Sequence, residues 1–342
     1  MATRIGVLTG GGDCPGLNAA IRAIVRRGIE AHGFEVLGFR DGWRGVVESR
    51  YLELTRDRIQ GILPRGGTIL GSSGFDPYRA GGPERVRDAL KDLGVDGVVA
   101  IGGEGTLGAA RRLAADGIPV VGVPKTIDND LAGTDRCIGF ATAVQVAADA
   151  IDRLHTTAES HNRLMLLEVM GRDAGWIAVE AGIAGGAHLI LAPEVPFDVA
   201  AMSRAIEARH RGDRSYSIVV VAEGAKPIAG SLELPPAATD ERGFVRYGGI
   251  THLLAPVLEA ATGYETRVTV LGHLQRGGSP VASDRVLATR LGIAAADLVE
   301  AGGWGRMVGL RGGDIADTTL EEGSRHRPVP AERLAVASVF SV

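Results

Sequence analysis

Short apolar runs punctuate the chain: RIGVLT (4–9), FEVLGF (34–39), DGVVAIGG (96–103), IPVVGVP (118–124), RLMLLEV (163–169), HLILAP (188–193), YSIVVVAE (216–223) and RVTVLG (267–272). Within each run the apolar residues are continuous rather than alternating, the mark of strands covered on both faces. Amphipathic patterns at 16–31, 82–93, 106–115, 138–158, 174–184, 198–211, 248–261 and 284–301 predict helices between them. Strand and helix alternate, which predicts an α/β protein with mostly parallel sheets.

The length of 342 residues suggests two domains. RIGVLTGGGDCPG and RLMLLEVMGRDAG can be laid over each other as an arginine, an apolar strand, a glycine-bearing turn and a helix start, which suggests an internal duplication. The expected fold is therefore two similar three-layer α/β domains with mostly parallel sheets and ligands held between them, at the C-terminal ends of strands. The expected boundaries are 1–138 plus about 256–306 for one domain, and 139–255 plus about 307–342 for the other. From residue 310 onward, polar loop and one last apolar run predict no definite element.

Composition narrows the function classes. A net charge of −4 with no block of Lys or Arg offers no general attraction to nucleic acid or to an anionic membrane, so any phosphate binding must be local. Two cysteines make neither a disulfide framework nor a zinc site and point to a reducing cytosol. No run approaches the roughly 20 apolar residues of a membrane span, and the N-terminus lacks a signal-peptide pattern. A cytoplasmic location is expected. The 50 glycines cluster at the ends of Val/Ile/Leu runs, where tight turns and close backbone approach need them.

Two of those glycine turns carry candidate chemistry. LTGGGDCPGLNAAIRAIVRR follows the first strand and opens a helix, so backbone N–H groups and a positive helix end form an anion cradle. IGGEGTLGAARRLAA (101–115) repeats the device with Glu104 among the glycines. Gly103, Gly105 and Gly108 satisfy G-x-G-x-x-G with Asp128 further on, so a dinucleotide fold is a rival reading. A carboxylate inside the turn would repel a pyrophosphate unless a metal ion lay between them, and Glu104 with Mg2+ resolves that conflict. Neither turn is G-x-x-x-x-G-K-[ST], which excludes a P-loop NTPase. VPKTIDNDLAGTD then sets Lys125, Thr126, Asp128, Asn129, Asp130 and Asp135 at the end of another strand.

Taken together, GGDCPGLNAAIR (11–22), GGTILGSSGF (66–75), IGGEGTLGA (101–109), PKTIDND (124–130), IGFATA (138–143), EVMGRDAGW (168–176) and LGHLQRGGSP (271–280) strongly resemble the 6-phosphofructokinase family, in the family's order. The resemblance implies two α/β domains facing a cleft that holds the active site. It also implies Mg2+-dependent phosphoryl transfer to O1 of fructose 6-phosphate, a step of glycolysis. By the family pattern Asp128 is the general base, Thr126 holds substrate beside it, Arg172 stabilises charge on the moving phosphoryl group, and Lys125 offsets charge on the leaving phosphate. Asp130 would tune the base or reach the metal. Met170, Gly171, Arg163, Glu223, Arg267, His273 and Arg276 match the sugar-phosphate pocket, where guanidinium forks suit a dianion. The residues matching Arg163 and Arg267 reach across from a neighbouring subunit in this family, so a homo-oligomer, dimer or tetramer, is implied.

The family divides between ATP and pyrophosphate as donor. Gly105 stands where pyrophosphate users carry an aspartate that repels the ATP α-phosphate, whereas Lys125 is shared with those users. The reading favours ATP, with Gly11, Gly103, Glu104, Gly105, Thr106 and Gly108 cradling the nucleotide and Glu104 on Mg2+; pyrophosphate is the alternative. Glu104 stands where Asp is commoner, and Gly74 replaces an arginine that contacts nucleotide in many ATP enzymes. More remote alternatives are an NAD- or lipid-kinase-like enzyme, from the likeness of GGEGT to GGDGT, and a non-catalytic nucleotide sensor. Arg22, Arg26 and Arg56 match positions that bind a phosphorylated effector in regulated relatives, while His155 replaces another arginine of that set.

Overall fold

The computed structural model describes residues 3–211, 216–236, 239 and 247–339. The chain begins β1 (Arg4–Thr9), α1 (Leu17–Arg27), β2 (Glu35–Phe39), α2 (Trp43–Val47), β3 (Tyr51–Glu53), α3 (Gly82–Asp92), β4 (Gly97–Gly102), α4 (Glu104–Ala115) and β5 (Val120–Pro124). It continues through α5 (Phe140–His161), β6 (Leu164–Val169), α6 (Trp176–Ala184), β7 (Leu189–Leu191), α7 (Val199–His210), β8 (Ser217–Ala222), α8 (Ile250–Thr262) and β9 (Thr266–Val270). It ends with α9 (Ala282–Glu300), β10 (Arg306–Arg311), β11 (Asp314–Thr319), α10 (Leu320–Gly323) and α11 (Ala331–Val339). Among the described residues no helix is long and apolar enough to cross a membrane.

The chain divides into two compact units, residues 1–142 with 276–327, and 143–275 with 328–342. The first boundary falls four residues beyond the expected 138, the other two differ by about twenty residues from the expected 256 and 306, and the sheets say why. β9 pairs in parallel with β6 and so keeps the chain in the second unit to Gln275. β10 pairs with β5 and β11 with β10, which retains 306–319 in the first unit. Residues 340–342, assigned to the second domain from sequence, lie outside the described residues.

The first unit holds a seven-stranded sheet in the order β11-β10-β5-β4-β1-β2-β3. Its five inner strands are parallel, and the antiparallel β3 and β11 close the two edges. β4 and β5 are buried at every position, which is why their sequences run apolar without alternation. Trp43, Phe39, Leu8, Val98 and Leu107 centre the core on one side of the sheet. On α9, a side chain at Gly292 would come within 2.7 Å of the Ala20 carbonyl, so the α1 and α9 backbones meet there. Strand order reverses about β1: β2 lies on one side and β4 on the other. The crevice outside the C-terminal ends of β1 and β4 is the place such a sheet offers a ligand.

The second unit holds a four-stranded parallel sheet, β7-β8-β6-β9. Its core gathers Leu164, Leu166, Val219, Val221, Phe197, Met202, Leu254 and Leu258. One buried carboxylate ties a helix to this sheet. Glu168, on β6 and 2% exposed, accepts from Gly249 N (2.7 Å), Thr251 N (3.1 Å) and Thr251 Oγ1 (2.6 Å), satisfying the first turn of α8. Replacing Glu168 with alanine strands those donors in the interior. We expect a loss of about 3 kcal/mol, read as an earlier midpoint of denaturant unfolding.

Candidate active site

Each glycine turn sits at the crevice its strand order creates. After β1 the chain turns at Gly11, whose φ of +78° is left-handed and suits glycine. The turn is not a bare row of amides. Gly10 N–H donates to the Ile101 carbonyl (3.0 Å) and Gly11 N–H to the Ser73 carbonyl (2.9 Å). The Ser72 hydroxyl donates to the Gly11 carbonyl at 2.5 Å. Gly11 N–H is thus engaged within the protein, and its left-handed turn shapes the cradle. From the opposite side, buried Lys125 donates to the carbonyls of Gly10 (2.8 Å) and Gly12 (2.5 Å). Burial lowers the pKa of its ammonium below the ordinary lysine value.

Arg276 closes the turn from above, with its guanidinium donating to the Asp13 carbonyl at 3.3 Å. A Cβ on Gly12 would fall 2.5 Å from Arg276 Nη1. Gly12→Ala is therefore expected to push the guanidinium aside. Activity should fall by about 10- to 100-fold, the scale of a small misplacement at a reacting centre, with the melting temperature unchanged. Steady-state kinetics beside a thermal melt checks it.

The second glycine turn is the open one. α4 starts at Glu104 with Gly103 in extended conformation before it, so the first N–H groups of the helix lack intrahelical partners. Glu104 and Gly105 are exposed, and a Cβ at Gly105 or Gly108 would meet nothing within 4 Å. Thr106 faces the other way: its side chain packs on Gly10 and Gly102, and its carbonyl accepts from Trp43 Nε1 (3.2 Å). Any contact it makes with a donor is through its backbone.

At the end of β5, Thr126, Asp128, Asn129 and Asp130 are all buried. Asp128 N donates to Thr126 Oγ1 (3.1 Å), and that hydroxyl donates to Asp128 Oδ2 (3.3 Å), a local turn that fixes the carboxylate. Asn129 takes a left-handed φ of +54°, a conformation asparagine tolerates. Its side chain accepts from Cys137 N (2.8 Å) and donates to the Asp135 carbonyl (3.3 Å), closing the loop. Arg327 adds Nη2 contacts to the carbonyls of Asn129 (2.9 Å) and Asp135 (3.0 Å). His326 Nδ1 stands 3.9 Å from Asp130 Oδ2.

In the second unit the turn after β6 carries Met170, Gly171 and Arg172. Gly171 has φ +145° and Arg172 φ +53°, strained for a residue with a side chain and held in place from outside. Glu223, just beyond β8, accepts from Gly171 N (3.3 Å) and Arg172 N (3.0 Å). Gln275, fully buried and absent from the sequence-level candidates, accepts from Met170 N (2.8 Å) and donates to the Ala143 carbonyl (3.4 Å). His273 is exposed on the same 3-10 turn, Gly272–Arg276.

Arg163 and Arg267 lie elsewhere in that unit. Arg163 precedes β6 and Arg267 is opposite Met165, both at the start of the sheet. The six residues of β6 lie between Arg163 and Met170, a span of seven steps or about 23 Å at 3.3 Å per residue. The two arginines share Glu265, which Arg163 Nε contacts at 2.8 Å and Arg267 Nη2 also pairs. At the expected effector positions, Arg26 and Arg56 both pair with Glu30 (3.2 and 3.8 Å). His155 instead contacts the Gly185 carbonyl (2.7 Å) and Tyr216 Oη (3.3 Å).

Among the described residues there is no cluster of three or more His, Cys, Asp or Glu that could hold a metal ion. A metal at Glu104 would therefore have one protein carboxylate. That fits Mg2+, which keeps waters and takes its other ligands from substrate phosphates.

Comparison with known proteins adds names to this geometry. The family profile described as Phosphofructokinase matches residues 4–299. A pyrophosphate--fructose 6-phosphate 1-phosphotransferase of Amycolatopsis methanolica is 56% identical over 98% of this chain and 99% of its own. An ATP-dependent 6-phosphofructokinase of Mycobacterium leprae is 52% identical over 98% of this chain and 99% of its own. Among solved structures, Pichia pastoris phosphofructokinase in the T-state superposes with a TM-score of 0.83 at 30% identity, covering 99% of this chain and 36% of that one. A pyrophosphate-dependent phosphofructokinase from Marinobacter aquaeolei gives 0.82 at 25% identity, covering 96% and 86%.

Proposed function

Because this chain belongs to the phosphofructokinase family, we propose that it transfers the terminal phosphoryl group of ATP to O1 of D-fructose 6-phosphate, giving fructose 1,6-bisphosphate and ADP. The single observation that carries the donor assignment is the empty space at Gly105 on the first turn of α4. A nucleotide α-phosphate needs that space. Lys125 does not argue the other way, because its ammonium is engaged by the Gly10 and Gly12 carbonyls and supports the turn whichever donor is used.

In this reading Asp128 accepts the proton of the sugar O1 hydroxyl as that oxygen attacks the terminal phosphorus. Thr126 fixes the Asp128 carboxylate and the substrate beside it. The P–O bond to the leaving ADP breaks, and Arg172 spreads the charge on the moving phosphoryl group. Glu223 and Gln275 hold the Met170–Arg172 turn, so the guanidinium starts from a fixed backbone. Glu104 would hold Mg2+, which neutralises the donor phosphates when bound. Arg276 and His273 serve the sugar phosphate.

Arg163 and Arg267 stand at the opposite end of β6 from Met170–Arg172, which supports their serving the site of another copy of the chain. We therefore read the enzyme as a homo-oligomer of the cytoplasm, with two free, buried cysteines suited to reducing conditions. A second reading, with pyrophosphate as donor, is favoured by the Amycolatopsis relative. Phosphorus NMR of a reaction containing fructose 6-phosphate, Mg2+ and ATP tests the assignment. It should show fructose 1,6-bisphosphate and ADP growing together; ATP left intact, or a product phosphorylated elsewhere, would refute it.

A further inference from the structure

Glu265 has no place in the mechanism above, yet it is the residue both outlying arginines share. Its Oε2 accepts from Arg163 Nε at 2.8 Å, and its Oε1 pairs with Arg267 Nη2. Arg267 Nη1 also donates to the Thr266 carbonyl at 3.2 Å. The backbone fixes the pairing as well: Leu164 N donates to the Glu265 carbonyl at 3.0 Å, where β6 and β9 begin side by side. One carboxylate therefore holds two guanidinium groups that would otherwise repel each other.

We propose that Glu265 is a positioning residue that pairs Arg163 and Arg267 into one fork for the phosphate of the sugar substrate. The inference rests on the reading that these arginines bind that phosphate. After these three contacts are made, Arg163 keeps Nη1 and Nη2, Arg267 keeps Nε–H and one N–H on each Nη, and the two arginines with Glu265 retain a net charge of +1. Those donors suit the oxygens of a dianion. Arginine side chains have many rotamers, and Arg267 is 53% exposed, so without the carboxylate each arm must be ordered anew when phosphate binds. That ordering loss outweighs the attraction gained by removing one negative charge at an exposed, screened site. The hydrogen bond from Arg163 lowers the Glu265 pKa below the ordinary glutamate value, which favours the charged form that pairs the two arginines.

The test compares Glu265→Ala, Glu265→Asp, the double variant Arg163→Ala/Arg267→Ala and the triple variant, each in full kinetics with a thermal melt. Glu265→Ala should raise KM for fructose 6-phosphate about tenfold, with kcat, KM for the phosphoryl donor and melting temperature nearly unchanged. Glu265→Asp should recover part of the loss. In the double arginine variant KM should already be raised, and adding Glu265→Ala should change it no further. If the arginine variant leaves KM unaltered, the reading beneath the inference fails. If the arginine variant raises KM but Glu265→Ala does not, lowers it, or adds to it independently, Glu265 is not a positioning residue.

Discussion

Replacing Asp128 with serine is expected to lower kcat by about 10²- to 10⁴-fold, the usual range for a lost general base, while KM for fructose 6-phosphate stays within a few-fold. The carboxylate is 5% exposed and held by Thr126 through a turn of two hydrogen bonds, so its position is fixed before substrate arrives. A serine there keeps a small polar side chain but cannot take a proton at neutral pH. The loop should keep its shape, because Asn129, Cys137 and Arg327 close it without help from the Asp128 side chain. Turnover unaltered in the variant would leave Asp128 with no role as base.

The second large effect concerns the donor. Gly105→Asp should lower kcat/KM for ATP about 1000-fold and leave turnover with pyrophosphate, if there is any, far less affected. The effect is electrostatic rather than steric, since a Cβ at that position meets no atom within 4 Å and the residue lies in an ordinary helical turn. Two like charges about 4 Å apart near a protein surface repel by about 4 kcal/mol, close to three powers of ten in rate. The variant should melt at the wild-type temperature. Equal losses with both donors would show that the space at 105 does not discriminate between them.

The strands were readable because burial on both faces leaves nothing for polar residues to do. GVVAIG in β4 is buried at every position, and its run is apolar without interruption. The hairpin of β10 and β11 escaped because its outer strand, DIADTT, is an exposed edge with no apolar pattern. Its signal was present in Gly312 and Gly313, both at positive φ, the two-residue turn that antiparallel strands favour. Missing that hairpin, and the pairing of β9 with β6, misplaced the last two domain boundaries.

Candidate residues were legible where chemistry is written in neighbouring letters. Lys125, Thr126 and Asp128 fall within four residues of sequence, directly after β5. Gln275 and Glu265 were not. Gln275 acts on Met170 across 105 residues and Glu265 on Arg163 across 102, and neither partner is marked by spacing. Gly11 shows the opposite limit, since the left-handed turn was readable while the engagement of its N–H by Ser73 depends on a distant loop.

Whether a nucleotide supplies the phosphoryl group is read from kcat/KM of the unaltered protein with fructose 6-phosphate and either MgATP or Mg-pyrophosphate under identical conditions. ATP should be preferred by at least about tenfold, a difference of some 1.4 kcal/mol in transition-state binding. Turnover with pyrophosphate and none with ATP would contradict a nucleotide donor.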